Sequence, residues 1–161
     1  MIRLGIAYSL TRLYVFTFIK IMKAKINWLD KVSFVAESGS GHAVVLDGSP
    51  EFGGRNIGSR PMEMVLMGLG SCAAFDVVTI LNKARQLFTD LQVELEAERA
   101  DTTPAVFTKV TMNFVVTGDN LDQKVVDRAV KLSVDKYCSV TQMLREGGVA
   151  IAYKGITSSK V

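Results

Sequence analysis

Apolar positions along this chain follow two rhythms, and their order lays out a fold. Ala24, Ile26 and Trp28 alternate with Lys23, Lys25 and Asn27, and residues 32–36 and 43–46 form two more short apolar runs. Asp30, Lys31 and residues 38–41 lie between them as turn material, so a period of two with Gly- and Ser-rich breaks predicts a three-strand meander. Further on, Leu91, Val93, Leu95 and Ala97 alternate with Gln92, Glu94, Glu96 and Glu98. After a turn at residues 101–104, Val106, Thr108, Val110, Met112, Phe114 and Val116 keep the same period. This predicts a long hairpin with one wet face. Residues 118–120 then introduce a helix over residues 121–136, in which Leu121, Val125, Val126, Ala129, Leu132 and Ser133 share a face. Ser139 and Gln142 fit the capping box of a short third helix, which Gly147 and Gly148 close before a last strand at residues 149–153.

Residues 59–85 break the alternation. Ser59 is an N-cap type of residue, Pro61 has a φ suited to a first turn, and Glu63 puts negative charge at the positive end of a helix dipole. From there apolar residues run almost without interruption to Leu81, and Lys83 and Arg85 fall where a helix C-terminus favours cations. A helix so apolar on nearly all sides must be covered on nearly all sides. Its middle holds the small-residue run Gly68 to Cys72, and each Gly there costs roughly 1 kcal/mol relative to Ala. Such a run suits close approach of another backbone, beside a thiol.

The order of strands, long helix, hairpin, helix pair and strand predicts an α+β fold with antiparallel sheets packed around a long central helix. One sheet of a 161-residue chain is too narrow to enclose that helix, and a homodimer with helices buried between two sheets meets the need. Residues 1–21 differ in character from the rest of the chain: Arg3, Arg12 and Lys20 interrupt their apolar run too often for a membrane span. They read as an amino-terminal extension, either from an upstream start or disordered, with the domain proper over residues 22–161 and no stable membrane insertion. In the absence of a secretory signal, a cytoplasmic, reducing compartment is expected.

Composition narrows the chemistry. A net charge of +3 with scattered cations gives no basic stripe for nucleic acid, and two cysteines with one histidine are too few for a zinc site. His42, at the start of a predicted strand, reads as structural. The cysteine pair remains. Cys138 stands just before a predicted helix start, where the dipole favours thiolate, whereas Cys72 lies mid-helix among N–H groups already bonded. By this local argument Cys138 is the more reactive thiol, and Cys72 has a plain alternative reading as a small core residue. Whether the two meet is left open. Glu63, about nine residues before Cys72, is roughly 13 Å away along the same helix and can meet a cysteine only in another subunit. Arg55 and Arg60 are the cations of the loop before the helix.

At these residues the chain resembles the OsmC/Ohr family of osmotically inducible and organic hydroperoxide resistance proteins, and within it the small YhfA-like branch. The resemblance spans residues 22–153. It rests on Pro61-Met-Glu63-Met, the Gly-Leu-Gly-Ser-Cys72 run, Lys136-Tyr-Cys138-Ser-Val, and the Gly- and Arg-rich loop at residues 53–58. It implies an OsmC-like, intertwined homodimer with a cysteine pair at each of two interface sites. By carry-over, Cys72 matches the peroxidatic cysteine and Cys138 the resolving one. The implied reaction is thiolate attack on an organic hydroperoxide, a sulfenic acid on Cys72, a disulfide with Cys138, and reduction by an external dithiol, lipoyl-type in the family, with no bound cofactor. Two positions depart from the pattern. The family's catalytic Glu falls where this chain has Met62, one residue before Glu63, and the family's thiolate-activating arginine maps to Arg55 or, second, to Arg60. Ser139 stands where many relatives have Pro. The competing class is a non-enzymatic module that holds a hydrophobic ligand in the same apolar interface or senses oxidation through its cysteines.

Overall fold

The computed structural model describes residues 21–159. The expectation of a separate extension over residues 1–21 therefore lies, Ile21 apart, outside the described residues. Three strands come first, β1 (Ala24–Asp30), β2 (Ser33–Ser38) and β3 (Ala43–Leu46), paired antiparallel in that order as the alternation predicts. A Gly-rich loop with one 3-10 turn, Pro50–Phe52, leads to the long helix α1 (Pro61–Lys83). The hairpin β4 (Phe88–Arg99) and β5 (Phe107–Gly118) follows, then α2 (Gln123–Leu132), a five-residue π turn (Ser133–Tyr137), α3 (Ser139–Glu146) and β6 (Ala150–Ser158).

The second sheet has the order β4-β5-β6. Its hairpin is antiparallel, pairing Val93 with Phe114, Leu95 with Met112 and Ala97 with Val110. The expectation of purely antiparallel sheets needs one correction here, because β6 runs parallel to β5, pairing Val110 with Ile151 and Met112 with Tyr153. The chain leaves β5 at one end of the sheet and spends α2, the π turn and α3 crossing back to the other, and a crossover of that length delivers a parallel strand. The last strand also runs five residues past Tyr153, following β5 to its end.

One face of this sheet and the three helices enclose the core: Leu69, Ala73, Val77 and Leu81 of α1, Val110, Met112, Phe114 and Val116 of β5, and Val126, Ala129 and Val130 of α2. The four α1 residues recur every fourth position and so form one stripe. Gly70 lies beside that stripe, where a Cβ would come within 2.7 Å of a Leu95 methyl, so this glycine lets β4 close onto the helix. Gly68, by contrast, looks into open space.

The small-residue run thus serves two faces of α1, and only one is covered. Val65 and Met67 lie exposed, and Phe75 keeps 73% of its surface. By length and composition α1 could cross a membrane, although its Leu69–Leu81 stripe is core. Its start differs from the expectation. Ser59 is held in a parallel bridge to Leu46, its carbonyl accepting the Asp47 N–H, so the cap passes to Arg60. Glu63 then reaches back to the Arg60 N–H at 2.9 Å and to its guanidinium at 2.9 Å.

Candidate active site

The π turn brings the two cysteines together. In place of the continuous helix expected over residues 121–136, α2 ends at Leu132, and its cap is Asp122, whose carboxylate accepts the Lys124 N–H at 2.8 Å. At Ser133 the helix widens. The Cys138 N–H bonds back five residues to the Ser133 carbonyl (2.9 Å) rather than four to that of Val134. The Val134 carbonyl, relieved of its usual partner, accepts instead from Gln142 Nε2 (3.2 Å) and the Arg145 guanidinium (3.3 Å). Gln142 is thus spent on the turn, and the expected Ser139 capping box does not form: Cys138 is the N-cap of α3 and Ser139 its first residue. π turns are uncommon and concentrate at functional sites.

Cys138 is fully buried and Cys72 partly so, both as free thiols. They lie near each other, and Cys72 is one cause that raises the Cys138 pKa. The stronger cause is burial, which pushes the Cys138 thiol above its ordinary range; the Thr141 hydroxyl and amide pull the other way without overcoming it. This corrects the dipole argument. Cys138 does sit at a helix N-terminus, but a helix of eight residues does not repay the desolvation of a wholly buried thiolate.

Thr141 carries no motif in the sequence, yet it belongs to this site. Its Oγ1 is buried and lacks a regular hydrogen-bond partner among the described residues, beside the Cys138 sulfur. A buried, unspent hydroxyl is costly and needs a reason. Asp76 is a titratable residue that the motifs do not include. It stands one turn after Cys72 on α1, and burial holds its carboxyl above the ordinary range.

The other site residues lie apart from the thiols within one chain. Arg55 places its guanidinium on Asp30 (3.6 Å) and Ser33 Oγ (3.5 Å), and its N–H on Asp47 (2.8 Å). Asp47 organises this loop: besides Arg55 it accepts from Ser33 Oγ, from Gly48 and from Ile57, and these bonds, that from Ile57 above all, lower its pKa to about 2. Glu63 and Arg60 hold each other at the start of α1, the Arg60 N–H being the main reason that the Glu63 carboxyl sits below its ordinary range. No hydrogen bond or ion pair among the described residues joins Arg55, Arg60 or Glu63 to Cys72. Met62, Glu63 and Arg60 instead line a cleft of about 650 Å³ with Phe52, Leu66 and Phe107, and neither cysteine is part of it. No cluster of His, Cys, Asp and Glu suited to a metal occurs among the described residues.

Residues 53–154 match the sequence profile of a family described as OsmC-like protein. The chain belongs to the OsmC-like family. Protein YhfA of Escherichia coli strain K12 is 46% identical over 128 residues, which cover 78% of this chain and 90% of YhfA. The fold is that of the family. A hypothetical protein from Aquifex aeolicus VF5 superposes with a TM-score of 0.77 at 25% identity, over 89% of this chain and 100% of that one. An organic hydroperoxide resistance protein OsmC from Legionella pneumophila superposes with a TM-score of 0.66 at 18% identity, over 87% of this chain and 98% of its own. At that identity the likeness is one of fold, and some members of this OsmC-like group carry hydroperoxide resistance in their names.

Proposed function

We propose that this OsmC-like protein is a thiol peroxidase for organic hydroperoxides, acting through Cys72 and Cys138. The observation that carries the reading is the unequal pair: two free thiols near each other, one partly open on α1, the other buried with its pKa raised by that burial. The Cys72 thiolate attacks the distal oxygen of ROOH. A sulfur–oxygen bond forms, the O–O bond breaks, and the alkoxide leaves as alcohol after taking a proton. Cys138 then attacks the Cys72 sulfenic acid; the S–S bond forms, and hydroxide departs as water with the Cys138 proton. The Thr141 hydroxyl, unspent in the resting thiol, is placed to donate to the Cys138 sulfur as it loses that proton. An external dithiol, lipoyl-type by family likeness, returns both thiols.

The same reading includes a homodimer. Phe75, Val65 and Met67 on α1 and the exposed face of the first sheet are the apolar surfaces that a second copy covers, and Arg55 and Glu63 reach a thiol only across such an interface. The test is direct. One equivalent of cumene hydroperoxide should remove both thiols and leave one disulfide within the chain; Cys138→Ser should stop at the Cys72 sulfenic acid, and Cys72→Ser should consume no peroxide. Turnover in Cys72→Ser through Cys138 would reverse the roles. The cleft beside Met62 and Phe107 favours a second reading, a module that binds a hydrophobic ligand, and negligible turnover in the unmodified protein with saturable fatty-acid binding would select it.

A further inference from the structure

Ser133 is a fully buried polar residue, in a fold whose core includes Ala73, Val77, Val130 and Val134. Its side chain and its backbone face different elements. The hydroxyl donates to the Ala73 carbonyl at 2.9 Å, which is the peptide next after Cys72 on α1. Its own carbonyl accepts the Cys138 N–H at 2.9 Å, the bond that closes the π turn. One residue, sixty positions from Ala73 in sequence, therefore ties the backbone beside one thiol to the backbone of the other.

The bond to Ala73 is not needed to satisfy that carbonyl. Ala73 lies inside α1, where its oxygen already accepts the N–H four residues on, and the Ser133 hydroxyl takes the second lone pair. Alanine would fill the same space without a buried hydroxyl and would strand no group. What the hydroxyl adds is direction: it sets where along α1 the π turn docks. From outside, the turn is gripped at Val134 by Gln142 and Arg145, and at Asp135 by Lys131, Arg145 and Tyr153. Those contacts hold the turn to α2, α3 and β6; among the described residues the Ser133 hydroxyl is the side-chain hydrogen bond that ties it to α1.

We propose that Ser133 is the positioning residue that keeps Cys72 and Cys138 within disulfide reach, through its hydroxyl on Ala73 and its carbonyl on Cys138. This deepens the thiol-pair reading and rests on it, but it can be tested without any peroxide. The dithiol form of the full-length protein is equilibrated with reduced and oxidised glutathione. Oxidised glutathione takes up two electrons and the two thiol protons, becoming two reduced molecules, while the Cys72–Cys138 bond forms. Because orientation governs how readily a paired group reacts, Ser133→Ala should lower the intramolecular disulfide constant about tenfold, with the melting temperature of the reduced chain little changed. Ser133→Thr, which keeps the hydroxyl, should retain the constant of the unmodified chain. A peroxide arm reads the consequence: in Ser133→Ala, Cys72 sulfenic acid should form at the unmodified rate, condense about tenfold more slowly, and pass more often to sulfinic acid.

An unchanged constant in Ser133→Ala would overturn the proposal, as would an equal loss in the Ala and Thr variants, since the hydroxyl would not then be responsible. An alanine variant that cannot fold in its reduced form would make Ser133 a folding residue and also end the proposal. If the unmodified protein forms its disulfide with glutathione but not with hydroperoxide, the peroxidase reading fails while the positioning role of Ser133 stands.

Discussion

The two sheets of this molecule are built from the same alternating pattern and meet opposite fates. In β4-β5-β6, the inward residues Val110, Met112, Phe114 and Val116 are completely buried under α1 and α2. In β1-β2-β3, register sets Ile26 beside Ala36 and Val44, and Trp28 beside Phe34 and Leu46, which makes a comparable apolar face. Among the described residues no helix covers it. Trp28 keeps 67% of its surface and Ile26 57%. The buried residues at this sheet are instead polar, Ser33 and Asp47, and they secure the loop into α1. The second sheet thus carries the core of the described residues, while the first carries an apolar face that those residues leave uncovered. A patch of that kind marks an interaction surface.

The contrast can be broken most sharply in the closed half. Phe114→Ala removes a fully buried ring and should cost about 3–5 kcal/mol in urea unfolding, whatever the protein concentration. Trp28→Ala should behave differently. If the first sheet is a dimer face, a large exposed aromatic on it contributes about 2 kcal/mol, so the dimer dissociation constant should rise about 30-fold in sedimentation equilibrium with the single chain still folded. A Trp28 variant that associates as tightly as the unmodified protein would leave that face without the proposed partner.

A third effect is confined to the loop that joins the halves. The Asp47 pKa in the folded chain, about 2, lies below its ordinary value of 3.8. Its contribution is therefore fully present above about pH 4 and lost as pH falls towards 2. Asp47→Asn should lower the melting temperature at pH 7 and flatten the acid limb of the stability profile. An unaltered acid limb would mean that other carboxylates govern it. The smallest expected effect sharpens the comparison on α1 itself. Gly68→Ala fills open space in a helix and should stabilise the single chain by about 1 kcal/mol; where a second copy covers that stripe, the added methyl should weaken association, read as a rise in the dimer dissociation constant.

Much of this was legible in the sequence because it depends on local rules. Alternation, short apolar runs and Gly-rich breaks located the six strands of the described residues, the unbroken apolar run located α1, and the order of elements indicated the α+β class and the cysteine motifs the family. The ends of elements were less legible, since each depends on a partner far along the chain. Ser59 is a good cap by type, yet a bridge to Leu46 withdraws it. Gln142 suits a capping box, yet a carbonyl freed by a π turn claims it. Glu63, by contrast, stabilises the start of α1 as its place in the first turn indicated.

The thiols mark the boundary between the two kinds of information. The chain's own residues determined that two cysteines would sit on or beside helices, one amid small residues and one at a helix start. Only the tertiary structure decided that they lie near each other and that burial holds the Cys138 proton. Helix periodicity runs over a few residues, whereas the approach of Cys138 to Cys72 involves a widened turn whose Ser133 hydroxyl bonds across the core to the Ala73 carbonyl. The proton follows burial, and burial belongs to the assembled fold. A short helix dipole, which the sequence does predict, is the weaker of the two fields at Cys138.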